Sequence, residues 1–434
     1  MVNTDRGGND MKFTYDIGKV KENNMKKRIF WNFILLFATI LMISGCKAKK
    51  DNKVAVQIEQ MEGYYHVSLN YDTGISHYDM GKEYAKAILN IMPDYAKNLD
   101  SYMSYLIDSK ISYTKRIETV KEQLPEEYID EIEGFASVIA TQEVSILGDS
   151  RLSKEEIYLS NMIPDLCRPT ACSGLSVFGD KSQTSKDITL RVLEWAFNKD
   201  HNEILKLQAV VDYNNGEHSF TSFGFLGIMD IISALNDDGI FAAILDNSER
   251  YYKESGTRSY TYDLRYALEN YSTLDEVTDY MADNGRNYTF SHLILAADKE
   301  KSKVVENFVL DGGISAVRSV ESMLSDNLLW DIPDSICVVN GNALKENVDT
   351  ISTLPYNKNR FETYYERLKE YEKVSVSDIK DIIGKEMPKI DYGSIHTEYY
   401  LQIIIYDAST GSVEIAFMPE NGMAPVKPRF VKVK

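Results

Sequence analysis

The spacing of apolar residues changes twice along this chain, and the changes divide it. From Val54, "VAVQIEQ" and "YYHVSLNY" alternate apolar and polar residues, the period of strands. After Gly74 the period becomes helical. Met80, Tyr84, Ile88 and Ile91 share one stripe within "SHYDMGKEYAKAILNIMPDYAKNLDSYMSYLI". Tyr128, Ile132, Phe135 and Ile139 form a second stripe in "LPEEYIDEIEGFASVIA", where Pro125 and flanking acids suit a helix start. Ser153, with Glu156 three residues on, opens a third helix, "SKEEIYLSNMIPDL", by capping-box spacing.

Beyond Cys172 the texture is short and strand-like. Ten runs, among them "CSGLSVFG", "ITLRVLEWAF", "GIFAAILD", "ICVVNG" and "YLQIIIYD", are bounded largely by turn residues. Two helical stretches interrupt them, "TYDLRYALENYSTLDEVTDYMADN" and "RFETYYERLKEYEKVSVSDIKDIIGK". Many strands with few long helices predict an α+β fold of two sheets with helices outside. Asn236 and Gly239 read as a turn pair between two of these strands.

The first 45 residues follow another rule. Met25 to Arg28 are basic at three of four positions, and "IFWNFILLFATILMI" is apolar except for Asn32 and Thr39. At under ~20 residues the run is short for a spanning helix. Ser44 and Gly45 then precede Cys46, which makes residues 1–45 a secretory signal. "ISGC" resembles the lipobox of bacterial lipoproteins. That resemblance implies a lipid on Cys46, a tether over residues 46–53, and an extracytoplasmic protein held at the cell membrane.

The net charge of −18 argues against nucleic acid, which selects basic faces. Cys46, Cys167, Cys172 and Cys337 leave an odd number of thiols once Cys46 is lipidated, so one free thiol needs a chemical explanation. The six histidines are scattered, without zinc-binding spacing, and no phosphate-binding or dinucleotide-binding glycine motif occurs. A serine-hydrolase elbow is missing as well. No metal and no cofactor is expected.

Cys172 opens one strand, and Arg191 and Glu194 lie in the next, "LRVLEW". Charges in a strand of this apolarity need partners, because their desolvation is costly. An edge-strand ion pair between the two is the plain structural reading. The order of segments carries a sharper one. "CSGLSVFG … LRVLEW", "SALNDDGIFAAILDN", "SHLILAADKEKSKVVE", "ICVVNGN" and "KNRFETYYERL" together resemble the cysteine N-terminal-nucleophile (Ntn) hydrolases. The nearest pattern is that of the isopenicillin N and 6-aminopenicillanic acid acyltransferases, relatives of the bile salt hydrolases. "YDMGKEYAKAI" and "EIEGFASVIA" resemble the prosegment helices of the acyltransferases.

The resemblance implies a four-layer αββα sandwich, with a mainly helical propiece over residues 54–171 and a catalytic domain over residues 172–434. It implies self-cleavage between Ala171 and Cys172, which frees an α-amine beside the thiol. That amine, with a pKa near 8, serves as base, so no histidine is required. The activity implied is cleavage of a linear non-peptide amide, or acyl transfer, through a Cys172 thioester, with a small acyl amide as substrate. Arg191 matches the arginine that holds the cysteine. Glu194 stands where the family has an aspartate that pairs with the new amine, one methylene shorter. Asn340 matches an oxyanion-hole asparagine, and Arg360 an arginine near the nucleophile. Asp246, or Asn247 after a shift of one residue, matches a second asparagine. The rival reading is a catalytically impaired member that binds acyl amides at the cell surface; a Cys–His peptidase is a third. Oligomeric state stays open.

Overall fold

The computed structural model describes residues 54–108, 110–167, 172–389 and 393–434. The signal segment, Cys46, the tether and Ala171 lie outside the described residues.

Two strands, β1 (Val56–Gln60) and β2 (Tyr65–Asn70), precede a helical stretch. That stretch holds α1 (His77–Ile91), α2 (Tyr95–Leu106), α3 (Thr114–Lys121), α4 (Glu126–Ile139), α5 (Lys154–Ser160) and α6 (Ile163–Leu166). Then come β3 (Ser173–Val177), β4 (Ile188–Glu194), β5 (Gln208–Asn214), β6 (Phe220–Phe225), β7 (Ser233–Asn236) and β8 (Phe241–Asp246). Helices α7 (Tyr260–Asn270) and α8 (Leu274–Met281) lead to β9 (His292–Ala297), β10 (Ser302–Asn307), β11 (Ser315–Arg318) and β12 (Ser335–Val339). The chain ends with α9 (Pro355–Lys369), α10 (Val376–Ile383), β13 (Tyr400–Asp407), β14 (Ser412–Phe417) and β15 (Val431–Lys432).

The strands form two sheets, ordered β1-β2-β5-β6-β7-β8-β9-β10-β11 and β12-β3-β4-β13-β14-β15. Helices flank the pair, which is the αββα arrangement. Val210, Phe223 and Phe241 of the larger sheet pack with Ile404, Tyr406 and Ile415 of the smaller in one buried cluster. Gly174 on β3 marks how closely the sheets approach, since a Cβ there would stand 2.7 Å from Leu295 Cδ2 on β9. Asn236 and Gly239 form the β7–β8 turn, with Gly239 at φ +84° and the Asn236 side chain accepting from Ile240 N at 2.8 Å.

Three long helical patterns are broken where local chemistry stops a helix. Pro93, which lacks an N–H, falls between α1 and α2. Thr273 accepts from Glu276 N and starts α8 afresh. Ser375 and Asp378 form a capping box that starts α10. The Ser153–Glu156 capping box is present as read, although that helix ends before Asn161 and resumes as α6. Ile91, placed on the buried stripe by its spacing, is 40% exposed because it sits at the last residue of α1. The segment before Cys172 is not purely helical. Its β2 pairs in parallel with β5, Tyr65 opposite Ala209 through Asn70 opposite Asn214. Residues Val54–Lys434 accordingly form one unit, with no division at Cys172.

A buried ion pair ties the two segments together. Arg265 on α7 gives Nη1 and Nη2 to the Glu131 carboxylate on α4 at 2.6 and 2.9 Å. Tyr71 and His77 complete the shell around Glu131 at 2.6 and 2.8 Å. The Arg265 guanidinium also lies over the Tyr128 and Tyr213 rings at 4.2 and 4.8 Å. Burial by itself raises the Glu131 carboxyl, but Arg265 and the hydrogen bonds outweigh it and hold the pKa at about 2. A depressed carboxyl adds stability above its unfolded pKa and loses it as pH falls through the folded one. Arg265→Ala leaves burial dominant and pushes Glu131 upward instead. The variant is expected to lose ~3–5 kcal/mol at pH 7, read from urea midpoints. The deficit should shrink at pH 5, where the stranded carboxylate takes a proton; a deficit that does not change with pH would contradict the account.

Candidate functional site

The site is assembled where β3 starts between two neighbours. Ser173 lies opposite Val339 on one side and Val192 on the other, so Cys172 meets the end of β12 and the end of β4. Cys172 is 1% exposed. Its backbone N–H donates to Asn340 Oδ1 at 2.6 Å, and Asn340 Nδ2 donates to the Asp246 carbonyl at 2.6 Å. A donor on one side and an acceptor on the other set the amide's orientation unambiguously. Asn340 is anchored in turn by its own carbonyl, which accepts from Asn357 Nδ2 at 2.7 Å and Ser248 N at 2.8 Å. One of the two Nδ2 hydrogens remains for another acceptor.

Arg191 and Glu194 do not pair with each other. They are three apart on a strand, so their side chains leave opposite faces, and β4 is an interior strand rather than an edge. Arg191 faces the larger sheet, giving Nε to Ser233 Oγ at 3.0 Å and Nη2 to the Ile244 carbonyl at 2.7 Å. Its Nη1 has no partner among the described residues. Glu194 faces α9 and receives Arg360 Nη2 at 2.6 Å and the Thr397 hydroxyl. Burial raises the Glu194 carboxyl, opposed by Arg360 and Thr397. Arg360 is wholly buried and also reaches the Cys172 carbonyl at 3.3 Å and Ser173 Oγ at 3.0 Å. The arginine that contacts the cysteine residue is therefore Arg360, and the group that receives its N–H is Asn340. Strand alternation sends the two β4 charges to opposite faces, Arg191 onto the cleft beside Cys172 and Glu194 toward Arg360.

Cys172, Arg191 and Asp246 line a narrow cleft together with Pro164, Leu193, Trp195, Ile232 and Ile244. Asp246 ends β8 and enters the site through its carbonyl. Asn247 turns away, donating to Asn342 Oδ1 at 2.8 Å and accepting from Glu249 N at 3.1 Å. Among the described residues no histidine lines the cleft. His292 is a strand residue, its ring nitrogens 3.0 Å from the Phe290 carbonyl and 2.8 Å from Asn307 Nδ2. Cys167, Cys172 and Cys337 are all free. Burial pushes the Cys167 thiol up to about 12 and the Cys337 thiol higher still, which makes both poor nucleophiles. Among the described residues no cluster of three metal-ligating side chains occurs, and no helix is long and apolar enough to cross a membrane.

Sequence reasoning missed four residues of this network. Ser173 Oγ is 2.9 Å from Tyr364 OH, and Thr397 and Asn357 brace Glu194 and Asn340. Ser173 is adjacent to Cys172 and Tyr364 is one helical turn beyond Arg360, so their spacing was available as a signal. Asn357, three residues before Arg360 on α9, carried the same signal, whereas Thr397 had none, because it arrives from another part of the chain. Pro164 was read only as part of a helix, yet it forms a wall of the cleft from the segment before Cys172.

The model of the acyl-coenzyme A:6-aminopenicillanic acid acyl-transferase family matches residues 196–418. That stretch includes Asp246, Asn247, Asn340 and Arg360 and begins after Cys172, Arg191 and Glu194. No curated protein matches. Among solved structures, an N-acylethanolamine-hydrolyzing acid amidase ortholog from Caenorhabditis elegans is similar at 10% identity and a TM-score of 0.39, over 55% of this chain and 96% of that one. Two variants of conjugated bile acid hydrolase from Clostridium perfringens are similar at 12% identity, with TM-scores of 0.35 and 0.34, over 61% of this chain and 96% and 97% of theirs. The family model alone carries the assignment, and it spans just over half of the sequence. The chain belongs to the acyl-coenzyme A:6-aminopenicillanic acid acyl-transferase family, and is an Ntn-type enzyme with a cysteine nucleophile that acts on amide bonds.

Proposed function

We propose that the enzyme cuts its own chain between Ala171 and Cys172, then cleaves a linear, non-peptide acyl amide through a thioester on Cys172 Sγ. The observation that carries this reading is the Cys172 N–H held at 2.6 Å by Asn340 Oδ1 inside the cleft. In the self-cleavage step Sγ attacks the Ala171 carbonyl carbon, the C–N bond breaks, and the nitrogen leaves as the Cys172 amine. Water then hydrolyses the thioester, leaving a carboxylate on Ala171 and a free thiol. The new amine occupies the place of the present N–H, where Asn340 Oδ1 accepts from it and orients it toward its own sulfur.

In turnover the amine takes the thiol proton, the thiolate attacks the substrate carbonyl, and the proton passes to the leaving amine. Water, or an acceptor amine, resolves the thioester. The remaining N–H of Asn340 Nδ2 and the unpartnered Arg191 Nη1 supply donors to the developing oxyanion. Arg360 and Glu194 are positioning residues that hold the nucleophile's backbone. A lipid on Cys46 would hold the enzyme at the outer face of a cell membrane, with no part in the chemistry. The engagement of Glu194 by Arg360 and Thr397 supports a second reading, an impaired member that binds acyl amides; self-cleavage without turnover of any amide would favour it.

Intact-mass measurement of the purified protein is expected to show a chain beginning at Cys172 and another at a modified Cys46. Cys172→Ala should stay uncut at that bond and lose turnover by several orders of magnitude; an uncut wild-type enzyme with full amidase activity would overturn the proposal. A second test addresses positioning. Arg360→Met strands a buried carboxylate and is expected to cost ~3–5 kcal/mol. Adding Glu194→Gln should return at least ~1 kcal/mol in a urea double-mutant cycle, together with part of the self-cleavage rate. Strictly additive effects would separate the two residues.

A further inference from the structure

Asn340 sits on a turn, and a buried ion pair outside the cleft grips that turn from both sides. Strand β12 ends at Val339 and the chain bends at once, with Gly341 N donating to the Val339 carbonyl at 2.7 Å. A side-chain amide on so tight a bend goes where the bend goes. β12 is also an edge of the smaller sheet, with β3 as its neighbour. Its outer row of backbone groups therefore needs partners from elsewhere.

Those partners come from the far edge of the larger sheet. Arg318 on β11 lies opposite Val304 on β10, and Glu306 is two residues along from Val304, so the two side chains leave one face. Arg318 Nε donates to Glu306 Oε1 at 2.9 Å. Its Nη2 crosses to β12 and donates to the Cys337 carbonyl at 2.9 Å. Glu306 Oε1 accepts from Ala343 N at 2.9 Å as well, and Oε2 accepts from Leu344 N at 3.2 Å. Cys337 lies three residues before Asn340, and Ala343 three residues after it. One ion pair thus holds both arms of the turn, with Glu306 and Arg318 both buried.

A buried pair of this kind adds little net stability over an apolar pair of the same size, because desolvation offsets the attraction. What it provides here is geometry. A carboxylate accepts several N–H groups at once and a guanidinium donates in a fixed plane, which apolar side chains cannot reproduce. Burial raises the Glu306 carboxyl, and Arg318 and the two turn N–H groups oppose that rise. The outer side of the turn is bridged separately, Ser325 N to the Ala343 carbonyl at 2.8 Å and Lys345 N to the Met323 carbonyl at 3.0 Å. That bridge holds the second arm only. Building on the reading of Asn340 given above, we infer that Glu306 and Arg318 are positioning residues for Asn340, setting the turn that carries its side-chain oxygen to the Cys172 N–H and its amide to the developing oxyanion.

The test reads the N–H of position 172 directly, in the full chain carrying Cys172→Ala, which keeps that N–H. Alanine labelled with heavy carbon at the carbonyl and heavy nitrogen at the amide singles out Ala–Ala bonds by NMR. That variant has three such bonds, 171–172, 242–243 and 296–297. The last two lie in β8 and β9 and serve as internal references. Adding Glu306→Gln leaves one acceptor oxygen for the Arg318, Ala343 and Leu344 donors. Hydrogen exchange at position 172 is then expected to quicken roughly tenfold or more, the scale of one hydrogen bond to a charged group, with exchange at 243 and 297 unchanged. Equal loss of protection at all three would reduce the pair to general stability, and an unchanged rate at 172 would separate it from Asn340; either result overturns the inference. Glu306→Asp keeps the charge but withdraws it by one methylene, and gives the same reading should the glutamine variant not fold. In chains that keep Cys172, Glu306→Gln is expected to slow release of the Cys172 chain roughly tenfold; normal cleavage despite a loosened position 172 would also overturn the inference. A wild type that is never cut defeats the self-cleavage proposal alone, because the exchange comparison is made on uncut chains.

Discussion

A single buried guanidinium organises the site. Arg360 enters from α9 and reaches the Cys172 carbonyl, Ser173 Oγ and the Glu194 carboxylate at once. A charge with no exposure must be matched inside the protein, since its desolvation is otherwise prohibitive. Glu194 matches it, and Thr397 takes the other carboxylate oxygen. The consequence is geometric. The start of β3 and the end of β4 are pinned to one helix, and Cys172 is held beside them. Asn340 fixes the remaining degree of freedom by accepting the Cys172 N–H.

The segment before Cys172 is built into the same core rather than laid on top of it. It supplies two strands to the larger sheet, and α4 sends Glu131 under α7 to meet Arg265. It also supplies Pro164, Ile163 and Leu99 to the cavities beside the cysteine. A cut at Ala171–Cys172 would therefore leave two chains held by a shared sheet and a buried ion pair, with a cavity that neither chain forms alone.

Pairing in the site follows strand alternation. Arg191 and Glu194 belong to one strand but serve different layers, the first between the sheets and the second beneath the outer helix. Residues three apart on a strand cannot share a partner, so each charge is satisfied from a different sequence region. Ser233 and Ile244 serve Arg191, while Arg360 and Thr397 serve Glu194.

Much of this was legible in the sequence, for physical reasons. Local periodicity and capping chemistry depend on neighbours a few residues away, so the two-sheet class, the Ser153–Glu156 helix start and the Asn236–Gly239 turn could be read directly. The order of short motifs singled out Cys172, Arg191, Glu194, Asn340 and Arg360 as one constellation, and the fold brings four of them into direct hydrogen-bond contact, with Arg191 on the same cleft. Helix interruptions at Thr273 and Ser375 were hidden because apolar stripes continue across a break that a single side-chain cap creates. What only tertiary structure decided is who partners whom. That Arg360 reaches the Cys172 carbonyl and that Asn340 receives its N–H both depend on contacts between residues far apart in the chain. Burial and hydrogen-bond satisfaction set those contacts, and neither is visible in the spacing of residues along one strand or helix.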